Sequence, residues 1–68
     1  MMNYLVTVFS ENYQGKEVYE QVVYNVDTPE LAIECLKAMM IEMGDEDVVN
    51  NCVFRAIETV QYSKETEN

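Results

Sequence analysis

Apolar positions along this chain follow two periods. From Asn3 to Ser10 (NYLVTVFS) and from Glu17 to Val26 (EVYEQVVYNV), aromatic and β-branched residues dominate, as in extended strands. Between them lies Glu11-Asn12-Tyr13-Gln14-Gly15-Lys16, in which Asn12 and Gly15 accept the positive φ of a turn. The two runs therefore read as a β-hairpin with a loop longer than the tightest kind. The period then becomes helical. Asp27-Thr28-Pro29-Glu30 is a helix start: Thr28 can cap, Pro29 suits the first turn and Glu30 complements the dipole. The helix is predicted to run to Met43 and to stop at Gly44. Asp45-Glu46-Asp47 reads as an acidic loop, Val48 to Asn51 as a lead-in, and Cys52 to Tyr62 (CVFRAIETVQY) as a third strand. The order is β-β-α-β, an α+β fold in one domain over 1–62, followed by a polar tail over 63–68.

The helix between the second and third strands needs a crossover, for which the right-handed form is preferred, and the simplest result sets the third strand beside the first, giving sheet order 2-1-3 with antiparallel neighbours. The helix then covers one face. Strict alternation back from Val26 assigns Val18, Val22, Tyr24 and Val26 to that face, joined by Tyr4, Val6, Val8, Phe54, Ala56 and Val60. At 100° per residue Leu31, Ala32, Cys35, Leu36, Met39 and Met43 line the inner side of the helix. Glu30, Glu34 and Lys37 lie opposite, Ile41 falls among them, and Ile33 and Met40 sit at the margin. The other sheet face would then hold Leu5, Thr7, Phe9, Tyr19, Val23, Val53, Arg55 and Ile57. A solvated face of an antiparallel sheet is expected to be mostly polar, and this one is not. Contiguous apolar surface marks an association site, for a homodimer packed sheet to sheet or for another protein. The competing reading is that the tail or the 45–51 segment covers it.

Charge sharpens the picture. The 68 residues carry 13 Asp and Glu against 4 Lys and Arg, with no His, a formal charge of −9. Such a field disfavours DNA or RNA as a ligand and favours a protein with a basic surface. Glu42, Asp45, Glu46 and Asp47 cluster at the helix end, while Glu11 and Glu17 flank the hairpin loop. Spaced carboxylates of this kind can imitate phosphates in the basic groove of a nucleic-acid-binding protein; a solvated surface that aids solubility is the plainer alternative. Tyr13 at the hairpin tip and Tyr19 on the open face are contact residues by type, combining area with a hydroxyl. Tyr4 and Tyr24 read as core rim, and Arg55 can pair across an interface or reach to solvent.

Other chemistries find little footing. Three consecutive acids preceded by Gly44 do not match a calcium loop, and two cysteines without His do not make a zinc site, so no metal or cofactor is expected. Cys35 and Cys52 read as buried free thiols. Catalysis is not expected: there is no His base, no nucleophile elbow, and the two glycines form no phosphate loop. Charged residues interrupt every apolar stretch, and no basic start precedes an apolar run, which reads as a cytoplasmic protein without membrane contact.

The strand running into a capped helix, Tyr24-Asn25-Val26-Asp27-Thr28-Pro29-Glu30-Leu31-Ala32, and the later strand Arg55-Ala56-Ile57-Glu58-Thr59-Val60 resemble the small phage-encoded β-β-α-β proteins. Several of these are anti-CRISPR and other host-defence inhibitors. The resemblance implies a compact binder that blocks a host protein in the host cytoplasm, with no catalytic residues. The leading expectation is thus a non-enzymatic inhibitor that binds a basic, nucleic-acid-binding protein through acidic loops around an aromatic patch. A small-molecule binder at a dimer interface, such as a sponge for a nucleotide signal, and a structural subunit of a larger assembly are the alternatives.

Overall fold

A computed structural model describes residues 2–10 and 16–60. Its elements are β1 (Met2–Ser10), β2 (Lys16–Val26), α1 (Pro29–Glu42), α2 (Glu46–Asn51) and β3 (Cys52–Thr59). The strands form one sheet in the order β2-β1-β3, with β1 antiparallel to both neighbours, and α1 covers one face. This is the expected α+β architecture. The central strand is the most apolar and the most buried, because only β1 is flanked on both sides. Tyr4, Val6 and Val8 from β1 meet Ala32, Leu36 and Met40 from α1 in the core.

The helix begins and ends where local chemistry directs. The Leu31 amide donates to Thr28 Oγ1 at 3.1 Å, and Pro29 occupies the first turn, where its missing N–H is not needed. At the other end Gly44 has φ +90°, a region an L side chain resists, and its amide donates to the Ile41 carbonyl at 3.0 Å. The segment expected to be an acidic loop and lead-in is instead the short helix α2. The Val48 and Val49 amides both donate to the Asp45 carbonyl, at 3.0 and 3.1 Å, and both valines pack against the core. Glu46 and Asp47 in its first turn suit the positive end of the helix dipole.

Two irregularities in β2 overturn its expected faces. Val23 pairs with Tyr4 and Val26 with Met2, so β2 spends one extra residue there; Asn25 takes φ +59° and its amide donates to Asn3 Oδ1 at 3.1 Å. Asparagine accepts this left-handed backbone better than most residues. A second shift, between Val8 and Phe9 on β1, leaves Val18 as the extra residue. Each bulge changes the phase of alternation. Tyr19, Gln21 and Val23, paired with Val8, Val6 and Tyr4, therefore share the helix-covered face, and Val22, paired with Leu5, turns to the open one. Tyr19 and Val23 are thus not open-face residues. Of those assigned to the core from β2 only Val26 packs there; Val18 and Tyr24 are exposed.

The buried side of α1 is also rotated from the expected one. Ala32, Leu36 and Met40 are buried and Ile33 packs beside them, whereas Leu31, Cys35, Met39 and Met43 are exposed. Lys37, expected opposite the core, lies at the seam with β3, its Nζ 5.1 Å from the Phe54 ring centre. A helix apolar on more than one side does not declare which side will pack. On β3, Phe54 and Ala56 face α1 as expected, but the strand ends at Thr59 and Val60 is 90 % exposed. Among the described residues Val60 has no strand partner to hold it against the core. Positions 61–68, including the end of the expected third strand and the polar tail, lie outside the described residues.

Candidate functional site

The second bulge in β2 brings two neighbouring side chains, Val18 and Tyr19, to the edge of the helix-covered face. There they form a cleft of 190 Å³ with Met40 and Met43 from the end of α1, Asp45, and Val48 of α2. Five of these six residues offer apolar surface, and Asp45 supplies a carboxylate. Cofactors and drug-sized ligands occupy about 300–1,000 Å³. The cleft is the size of one or two protein side chains. The two methionines are deformable and polarisable, which suits a floor that meets an irregular partner. Tyr19 donates its hydroxyl to Gln21 Oε1, which fixes the ring against the strand.

The expected acidic contact residues divide across the molecule. Glu42 ends α1, and Asp45, Glu46 and Asp47 open α2; all four are exposed, and of them Asp45 lines the cleft with Tyr19. The tight turn at Gly44 joins the end of α1 to the start of α2, and the Asp45 amide, which donates to the Met40 carbonyl at 2.8 Å, fixes Asp45 against the cleft. Glu17 does not join them. It pairs with Phe9 and so lies on the other sheet face. Glu11 and Tyr13 fall outside the described residues. Sequence reasoning missed Val18, Met40, Met43 and Val48 as lining residues. The run Met39-Met40 with Met43 was the available signal, but it reads equally as core filler.

The open sheet face holds Leu5, Thr7, Phe9, Val53, Arg55 and Ile57, as expected, together with Val22, Glu17 and Glu20 in place of Val23 and Tyr19. Three rows cross it, Val22–Leu5–Ile57, Glu20–Thr7–Arg55 and Glu17–Phe9–Val53. The Arg55 guanidinium carbon lies 4.9 Å from the centre of the Phe9 ring, so the charge is held over the face by a cation–π contact. Thr7, at the centre, is 6 % exposed, yet Ile57 and Val53 at the margin are 49 % and 45 % exposed.

Cys35 and Cys52 are free thiols, but only Cys52 is half-buried; Cys35 is exposed on the outer flank of α1, contrary to the expected burial. Among the described residues no group of three or more Cys, Asp or Glu is placed to hold a metal ion. No helix among them is long and apolar enough to cross a membrane. The chain matches no protein-family model, no curated protein and no solved structure.

Proposed function

We propose that this protein is a non-enzymatic binding domain whose acid-rimmed cleft takes a Lys- or Arg-bearing segment of a nucleic-acid-binding protein, thereby blocking that protein's basic surface in the cytoplasm. The observation that carries this reading is the sharing of one cleft by Tyr19, Asp45 and the Met40–Met43 floor, at the α1–α2 junction that also carries the exposed Glu42, Glu46 and Asp47. A basic segment offers both parts of the complement: aliphatic stems for the floor and cationic heads for the rim. The cleft's volume favours a side chain over a nucleotide, and its one charged lining residue has the wrong sign for a phosphate ligand.

The test is affinity capture from host lysate at increasing salt, comparing wild type with a variant carrying Glu42→Ser, Asp45→Ser, Glu46→Ser and Asp47→Ser. The four residues are exposed, so the variant should keep its fold by circular dichroism. Wild type should retain a basic nucleic-acid-binding protein that elutes with salt, and the variant should lose it by at least about tenfold in affinity, roughly the loss of two or three charge contacts. Equal capture by both, with the same salt dependence, would reject the acidic contact.

A further inference from the structure

The sheet face opposite the cleft carries a charge pattern that fits its own copy. Glu20 on β2 and Arg55 on β3 stand level with each other on either side of Thr7 of the central strand. Consider two sheets packed face to face about a two-fold axis parallel to the strands and passing over Thr7. This operation sets β2 of one copy above β3 of the other at the same height. Glu20 then meets the second copy's Arg55, and Val22 meets Ile57, while β1 lies over β1. Turning the axis perpendicular to the strands instead sets β2 on β2, so that Glu20 meets Glu20 and Arg55 meets Arg55. The charges therefore choose between the two symmetric arrangements; in the chosen one the apolar row Val22–Leu5–Ile57 meets itself, and Glu17 lies over Val53 at the margin, where both are exposed. We infer that the open sheet face binds a second copy of this chain about a strand-parallel two-fold axis, with reciprocal Glu20–Arg55 pairs flanking Thr7.

The rest of the charge distribution agrees. Seven of the 13 acids lie between Asp27 and Asp47, on α1, α2 and their connections, whereas the open face holds Glu17, Glu20 and Arg55. A face with both signs is a poor target for the strongly basic surface the cleft prefers, and a good one for itself. Sheets packed this way cross at about 30°, and the long side chains of Glu20 and Arg55 can follow the small lateral offset that this brings. The stacking of Arg55 on Phe9 keeps its guanidinium over the face instead of beyond the sheet edge, which reduces the ordering needed on association. Strand spacing of about 4.8 Å and a rise of about 3.3 Å per residue give a footprint of roughly 15 × 25 Å. That is small beside the standard interface of about 800 Å² per partner, so the dimer is expected in the micromolar range.

The two surfaces are separate, so this inference and the proposed function can fail independently. Sedimentation equilibrium of the full chain from 1 to 500 μM, a range on the order of the expected dissociation constant, reads the mass. Glu20→Arg and Arg55→Glu should each weaken dimerisation by about tenfold or more, and the double variant should restore it to within about threefold of wild type. Ile57→Asp should leave a folded monomer. A wild-type monomer across the whole range would overturn the inference, as would a dimer indifferent to both single charge reversals; the latter would place the contact at a sheet edge or on the helix layer. Circular dichroism melts of each variant separate loss of association from loss of fold.

Discussion

At the scale of single residues, Asn25 decides which side chains of β2 enter the core. Its positive φ and the hydrogen bond its amide donates to Asn3 Oδ1 absorb one residue, so Val23 and not Val22 packs against Tyr4 and the helix layer. Period-2 counting back from Val26 has no means of sensing this, because asparagine in a strand is an unremarkable letter until its backbone is seen. A pair of substitutions reads the outcome. Val22→Asp on the open face should cost about 1 kcal/mol, the span of strand preference. Val23→Asp adds the partial desolvation of a carboxylate set against the core, for a total of about 2–3 kcal/mol. Urea melts at a concentration where the protein is monomeric measure both, and the reverse order would mean that the bulge is absent and the strict alternation holds.

At the scale of elements, the features legible in the sequence are those set by neighbours in the chain. Thr28, Pro29 and Gly44 bracket α1 with chemistry that acts within a turn, and both helix ends lie where these residues direct. Strand order followed from the simplest connection, which sets the third strand antiparallel beside the first. The features that were not legible depend on what meets what in space. Leu31, Cys35 and Met39 form an apolar flank as convincing by spacing as Ala32, Leu36 and Met40, and only the position of the sheet selects between them. Likewise α2 is too short to show a period, and it is held by Val48 and Val49 packing on the core. The cleft inherited both gaps, since it needs the β2 bulge and the true face of α1. Gly44 offers a clean measurement of a local device. A Cβ built there would meet no heavy atom within 4 Å, so Gly44→Ala tests backbone conformation alone. The left-handed conformation costs an L residue about 1–2 kcal/mol, which lowers Tm by roughly 5–15 °C in a domain of this size. Gly44→Asn, better tolerated in that region, should recover part of the loss; equal stability of Ala and Gly would show that the turn relaxes to negative φ.

At the scale of the whole molecule, charge is segregated by layer, and this gives the two proposed surfaces opposite responses to salt. Between Asp27 and Asp47 there are seven acids and one base, Lys37, so this layer carries −7 + 1 = −6. In the inferred dimer the two helix layers lie about 30 Å apart, from sheet and helix thicknesses of about 10 Å. Coulomb's law in water puts their bare repulsion at about 5 kcal/mol. Screening over a Debye length of about 30 Å at 0.01 M salt leaves roughly 2 kcal/mol, and over about 8 Å at 0.15 M almost none. The two Glu20–Arg55 pairs lose no more than about 1 kcal/mol over the same range, because they are peripheral and partly solvated. Relief of repulsion wins, and dimerisation should tighten by about fivefold as salt rises, the factor that corresponds to a net 1 kcal/mol. Binding at the acidic cleft has no such offset; its contacts are attractive and short, and the same change in salt should weaken it by about tenfold or more. Sedimentation for self-association and titration calorimetry with the captured partner, each at 0.01 and 0.15 M salt on the order of the screening limits above, give the two slopes. Opposite signs are the expected result. If self-association also weakened with salt, attraction within the Glu20–Arg55 pairs would outweigh the repulsion between the helix layers, and the segregation of charge by layer would not govern the dimer.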